Sequence, residues 1–171
     1  MEAQVSDSNA TGSNPARPLL LCYDGSEDAA MAIGRSAALF SRRRAVVLTA
    51  WQPLASWDPH DPATILSAPL DKLASRALDV DQILEELAQT TLERGVELAR
   101  EAGFVPEGQL IRGKPWSAIC EAARDLDAEA IVMGARGLSR VQSVLLGSVS
   151  FAVLAHAKRP VLVIPHLEPA K

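Results

Sequence analysis

Cysteine and histidine are scarce in this chain of 171 residues. Two cysteines, Cys22 and Cys120, are too few for a disulfide framework or a four-ligand metal cluster. Cys22 sits inside an apolar run, where a small buried thiol is the plain reading. His60, His156 and His166 are scattered without ligand spacing, which leaves a His-rich metal centre or a His-based nucleophile triad little to be built from. Positive charge is also short, with 17 Lys and Arg against 21 Asp and Glu for a net −4, and aromatics make up only 4%. That excludes the basic surface with interleaved aromatics of a nucleic-acid module. No apolar run reaches the ~18 residues of a membrane span. There is no lipidation signal or strongly basic amphipathic helix either, so no membrane attachment is expected. Residues 1–17 are polar and lack a basic start followed by an apolar stretch, so no secretory signal is expected and the reading is a cytoplasmic, reducing environment. Two phosphate patterns are missing as well. Without GxxxxGK[ST] the chain is not a P-loop enzyme, and Asp24-Gly25-Ser26, not GxGxxG, follows the first strand, against a standard dinucleotide fold.

What is present is a globular composition, 48% hydrophobic and 22% charged, suited to one domain with a sizeable core. Residues 1–17 read as a loose tail, 18–165 as the domain and 166–171 as a short C-terminal tail. Between Ala130 and Pro165 stand Arg136, Arg140, Lys158 and Arg159 with no acid among them. A local positive field in an acidic protein suits a small anion; solvated surface charge is the alternative.

Periodicity predicts strands at Leu19–Tyr23, Ala45–Trp51, Gly108–Arg112, Ala130–Met133 and Val161–Ile164. The second strand has no polar alternation, the mark of a strand covered on both faces. Ser26 is a candidate N-cap ahead of Glu27 and Asp28, and the helix behind it puts Ala29, Ile33, Ala37 and Phe40 on one face, ending before Arg42-Arg43-Arg44. A long connection, Gln52 to Leu78, carries four prolines and reads as a lid, a dimer contact or an insertion. A helix over Val80–Ala102 follows, its stripe Val80, Leu84, Leu87, Ala88, Thr91, Leu98 and Ala99, mildly weakened by Gly95 and closed by Gly103. Helices at Trp116–Leu126 and Val149–Ala157 complete the series. Strands alternating with helices give an open, doubly wound parallel sheet, α/β and Rossmann-like.

The strongest chemical signal is Met133-Gly134-Ala135-Arg136-Gly137, a strand ending in two glycines, followed after nine residues by Gly147-Ser148 and an apolar helix. Gly134 and Gly137 suit sharp turns and close backbone approach to a ligand, and Gly147 lets the chain turn again. Ser148 suits a cap, and free amides there with a helix N-terminus make an anion cradle that no nearby acid opposes. Arg136 and Arg140 are candidate phosphate side chains, and Ser148 and Ser150 offer hydroxyls. Asp24 follows strand one at the same edge, and a carboxylate there suits a ribose diol or an adenine amine. The alternatives are a generic glycine turn and an Asp that only starts a helix. In an open α/β sheet, ligands bind beyond the carboxyl ends of strands where the order reverses, the edge these groups flank if strands one and four are adjacent.

The pattern Gly134, Gly137, Gly147 and Ser148, with Ile131-Val132-Met133-Gly134, Asp24-Gly25-Ser26 and the terminal Pro160–Ile164, resembles the nucleotide-binding branch of the universal stress protein family over about residues 18 to 165. The resemblance implies a five-stranded sheet in the order 3-2-1-4-5 that binds ATP between strands one and four. Asp24 would then contact ribose and adenine, and Ala50 and Cys22 would border the base through backbone groups. Met133, Gly134, Arg136 and Gly137 would line the phosphate turn, and Gly147, Ser148, Val149 and Ser150 would close around the phosphates. Mg²⁺ would be held mainly by those phosphates. It also implies a homodimer through Val161–Ile164, which would cover an otherwise exposed apolar edge. Tyr23 is bulkier than the small residue often found beside the ribose in that family, Trp51 follows Ala50 at the adenine edge, and Trp116 reads as a packing residue. No general base stands out, so a regulatory, stress-response ATP-binding dimer is the expected function. A weak Mg²⁺-dependent ATPase or phosphoryl-transfer enzyme, with Arg136 and Arg140 stabilising charge, and a nucleotide-free dimeric adaptor are the alternatives.

Overall fold

The computed structural model describes residues 17–40, 43–53, 80–137 and 146–165. The connection expected at 52–78 falls almost wholly outside them, as do His60, Arg140, His166 and both tails apart from Arg17. Five strands, β1 (Leu19–Cys22), β2 (Arg44–Trp51), β3 (Val105–Arg112), β4 (Ala130–Gly134) and β5 (Val161–Ile164), form one sheet in the order β3-β2-β1-β4-β5. Every pairing is parallel, with Leu20 beside Val46 on one flank and Ile131 on the other. The helices are α1 (Glu27–Ala37), α2 (Val80–Glu101), α3 (Pro115–Asp125) and α4 (Ser148–His156).

The alternation of side chains along each strand explains the layers. Leu19, Leu21, Ala45, Val47, Ala130 and Val132 face one way and pack with Ala29, Ala32 and Ile33 of α1 and Leu92 and Ala99 of α2. Leu20, Cys22, Val46, Leu48, Ile131 and Met133 face the other way and meet Ile119, Ala122 and Ala123 of α3 and Val153 of α4. β1, flanked on both edges and covered on both faces, is buried throughout. Each fully buried Leu there contributes about 1.5–3 kcal/mol of apolar transfer. The expected open parallel sheet, its strand order and its two helical layers are all present.

Several element bounds differ from the pattern, each for a local reason. β3 begins three residues before Gly108, at Val105-Pro106-Glu107. Proline and glutamate hid it, yet an edge strand tolerates both, and Glu107 is held by Arg44 of β2 at 3.2 Å. The first helix is capped as expected, the Ala29 amide donating to Ser26 Oγ at 3.2 Å, but its buried face is Asp28, Ala29, Ala32, Ile33 and Ser36. Ala37 and Phe40 only border the core. On α2 the buried line is Val80, Ala88, Leu92, Gly95 and Ala99, while Leu87 points to solvent. The stripe is rotated because Gly95, not a large residue, meets the sheet. A Cβ there would lie 2.6 Å from Cδ1 of Tyr23 and 3.0 Å from Cγ1 of Val47. Gly95 is therefore a packing residue. α3 starts on Pro115 and α4 on Ser148, each one residue early.

The edge of the sheet at the strand N-termini is laced by ion pairs: Asp127 bridges Arg17 at 2.8 Å and Arg159 at 2.5 Å, and Arg43 meets Glu129 at 2.8 Å. Being solvent-exposed, they contribute at most ~1 kcal/mol each.

The two helical glycines predict opposite outcomes. Replacing a helix glycine gains up to ~1 kcal/mol in propensity, and at Gly34 an added Cβ meets nothing within 4 Å, so Gly34→Ala is expected to raise the urea midpoint. At Gly95 the added atoms strike a buried ring, an overpacking cost of about 1–3 kcal/mol that exceeds the gain. Gly95→Val should lower the midpoint, and an unchanged or raised value would show that the Tyr23 contact does not constrain α2.

Candidate functional site

The strand order reverses between β1 and β4. From β1 the chain proceeds outward to β2 and β3, then crosses back to β4 and outward again to β5. α1 leaves the carboxyl end of β1 on one face and α4 follows β4 on the other, so their N-terminal turns flank a crevice at that edge. This is the position where open α/β sheets take ligands.

On the β1 side, Gly25 adopts φ +86°, which favours glycine. The turn lets Asp24 Oδ1 accept from the Ser26 amide at 3.0 Å, while Ser26 caps α1. The other carboxylate oxygen, Oδ2, faces the β4 turn: a Cβ on Gly137 would fall 2.5 Å from it. Asp24 and the glycine segment thus meet so closely that Gly137 has no room for a Cβ. Asp24 is exposed.

The β4 side is built from backbone. The Gly147 amide donates to Ala135 O at 2.7 Å and Ala135 N to Ile164 O at 3.0 Å, tying the turn to α4 and to β5. Ser150 Oγ donates to Gly134 O at 3.0 Å and is buried, so its hydroxyl proton holds α4 to the strand end. Gly147, not Ser148, is the N-cap, and it provides no side-chain cap bond. The first-turn amides of α4 have no acceptor within the helix, and Ser148 is exposed at its start.

The glycines act differently from the expectation of sharp turning. Positive φ occurs at Gly25, Gly103 and Gly113, none of them in the motif. Gly134 is required by packing, since a Cβ would lie 2.8 Å from the Asp28 carbonyl carbon and 3.0 Å from Ala29 N. Gly137 is required by the approach of Asp24.

The floor is apolar. Cys22 and Met133 turn their side chains into the core beneath, with Ala50 and Val149 packed against the same cluster. Burial, then the Asp24 charge, pushes the Cys22 thiol far up, and burial raises Cys120 as well. Towards β2, Thr49 Oγ1 donates to Tyr23 O at 2.9 Å. Trp51 is buried with the Arg112 guanidinium 5.5 Å above its ring. Trp116 packs on the second core and stacks on His156 with ring centroids 4.8 Å apart, the packing role expected of it.

Two electrostatic expectations are corrected. An acid does stand beside the cradle: Arg136 Nε lies 3.4 Å from Asp28 Oδ2. Nor do Lys158 and Arg159 share a field with Arg136. α4 is about 14 Å long at ~1.5 Å per residue, so Lys158 and Arg159 emerge at the opposite edge, where Arg159 pairs with Asp127. Asp28 is the neighbour that sequence reading passed over; its only signal was a second carboxylate one helical turn beyond Asp24. Among the described residues no group of His, Cys, Asp and Glu is arranged to hold a metal, and no helix is long and apolar enough to cross a membrane.

A parallel α/β sheet whose strand order reverses between β1 and β4 defines a Rossmann-like fold, a class in which ligands are met at strand ends. Comparison with known proteins narrows this. The model of the universal stress protein family matches residues 15–165, and the chain belongs to that family. A Thermus aquaticus relative named as a universal stress protein in the QAH/OAS sulfhydrylase 3′ region is 34% identical over 155 residues, spanning 86% of this chain and 98% of its own. Among solved structures, the Methanocaldococcus jannaschii protein MJ0577 superposes with a TM-score of 0.69 at 21% identity, over 91% of this chain and 99% of its own. A universal stress protein in complex with cAMP aligns at 0.58 and 26% identity, over 86% and 96%.

The buried Cys22 thiol makes a direct check. Native protein at pH 8 should leave Cys22 unlabelled by a disulfide reagent, with labelling appearing only as the chain unfolds. Because Cys22 ionises far more readily in the unfolded chain than in the folded one, stability should fall as pH rises through the ordinary thiol value of 9.0. Rapid native labelling of Cys22 would contradict the closed floor.

Proposed function

We propose that this protein is an ATP-binding regulatory homodimer that takes an adenine nucleotide in the crevice between β1 and β4. The observation that carries the reading is the placement of the Asp24 carboxylate directly opposite Gly137, beside the N-terminus of α4. A carboxylate accepts from paired hydroxyls or an exocyclic amine, and unpaired amides at a helix start donate to an anion, so the two groups match the two ends of a nucleotide. In this reading Asp24 takes the ribose, and the backbones of Cys22, Ala50 and Met133 border the base. The Gly134–Gly137 turn, through the amides of Arg136 and Gly137, and the amides of Ser148, Val149 and Ser150 hold the phosphates. The donor set fits a nucleotide: it is rich in N–H groups where phosphate would lie. Mg²⁺ would arrive on the phosphates, and the chain's own residues would bind and orient. The cAMP complex of the 26% identical relative supports the ligand class.

The dimer reading rests on β5. Its residues are Val161, Leu162, Val163 and Ile164, without a charge or proline, at a sheet edge. β3, the other edge, carries Pro106 and Glu107, which discourage pairing. Phe151 and Leu154 on α4 add exposed apolar surface.

Calorimetric titration should give a dissociation constant for ATP in the micromolar to low-millimolar range. Asp24→Ala and Gly137→Ala, the latter by pushing the carboxylate aside, should each weaken it roughly tenfold, about 1.4 kcal/mol. Absence of any adenine-nucleotide affinity in the wild type would sink the reading.

For the dimer, the pairing of Pro160 O and Ile164 O with β4 turns the Val161 and Val163 backbone groups away from β4. Val163→Pro therefore removes an outward donor and leaves the internal ladder intact. Light scattering should find a wild-type dimer and a Val163→Pro monomer; a monomeric wild type at micromolar concentration would refute it.

A further inference from the structure

Arg136 stands between the two glycines of the β4 turn, and its two ends face opposite sides of the sheet. Its Cα lies 3.5 Å from where a Cβ on Gly147 would sit, against the start of α4. Its guanidinium reaches the other way, to Asp28 in the first turn of α1, with Nε 3.4 Å from Oδ2. Because α1 and α4 pack on opposite faces, the side chain leads away from the helix terminus that an anion would meet. Both partners are largely withdrawn from water, their side chains 27% and 11% exposed. Screening there is weaker than at the surface, and removing one partner leaves the other charge poorly solvated.

Asp28 is also fixed from behind. It sits on a helix whose start is capped by Ser26, and its backbone and Cβ press on the strand end so closely that Gly134 has no room for a Cβ. The carboxylate is thus a rigid post at the mouth of the turn, and the guanidinium is tied to it.

We propose that Asp28 is a positioning residue for the anion site. By holding the Arg136 guanidinium on the α1 side, it sets the Ala135–Gly137 turn so that backbone amides, and not the guanidinium, face the bound phosphate. This rests on the nucleotide reading above and assigns Arg136 a different part from that of a phosphate ligand. The two parts separate by charge. A guanidinium touching phosphate distinguishes a triphosphate from a monophosphate, since their charges differ. A guanidinium that only sets the turn affects both to the same extent.

The test is titration of ATP and AMP into wild type, Asp28→Asn, Arg136→Gln and the double variant, at a temperature where circular dichroism shows each folded. The expected result is a loss of roughly tenfold for both nucleotides in either single variant, as a misplaced site produces. The ATP-to-AMP ratio should be unchanged, and the double variant no weaker than the single ones, because the two residues act as one unit. A loss confined to ATP in Arg136→Gln would overturn the proposal by making the guanidinium a direct ligand, and unchanged affinities in Asp28→Asn would overturn it equally. Should Asp28→Asn fail to fold, Arg136→Gln alone decides between equal and ATP-selective loss. If wild type binds neither nucleotide, the nucleotide reading itself fails; binding with a shifted ratio defeats only the role given to Asp28.

Discussion

The pairing of β1 with β4 is the constraint on which the rest of the molecule depends. These two strands are neighbours in space but lie more than a hundred residues apart in the chain, and each leads into a helix on a different face of the sheet. Where their carboxyl ends meet, neither helix crosses the gap, and the backbone of both turns is left facing it. The crevice is a topological consequence of the strand order, and side chains only decorate it.

That order is maintained by ordinary packing. β1 is a four-residue strand with no polar atom outside its backbone and a thiol, so it is stable only if covered on every side. Alternation splits its residues between the two layers, and the same alternation in β2 and β4 aligns them with it. The small residues of α1 and α2 that touch the sheet, Ala29, Ala32, Gly95 and Ala99, let these helices sit close over the large strand residues. The opposite edge carries exposed ion pairs, leaving the crevice edge with the single pair between Asp28 and Arg136 as its charged fixture among the ion pairs of the described residues.

Glycine in the motif therefore has two separate causes. Gly134 is small because α1 rests on it and Gly137 because Asp24 leans over it, whereas at Gly147 an added Cβ would make only ordinary contacts of 3.4 Å or more. A substitution at Gly134 or Gly137 moves a neighbour that borders the same space.

The amino-acid pattern by itself determined the layered parallel sheet, its strand order through the family resemblance, the Ser26 cap and the facing pair of Asp24 and the glycine turn. These are local or periodic properties, written in hydrophobic spacing and turn residues. Tertiary structure alone decided the rest. The rotated face of α2 came from the Tyr23 ring, just after β1, meeting Gly95, and the early start of β3 from an edge position that accepts Pro106. Lys158 and Arg159 were carried away from Arg136 by the length of α4, and Asp28 was brought to Arg136 across 108 positions of sequence. Contacts of this kind form between elements far apart in the chain, and single-residue propensities contain no term for them.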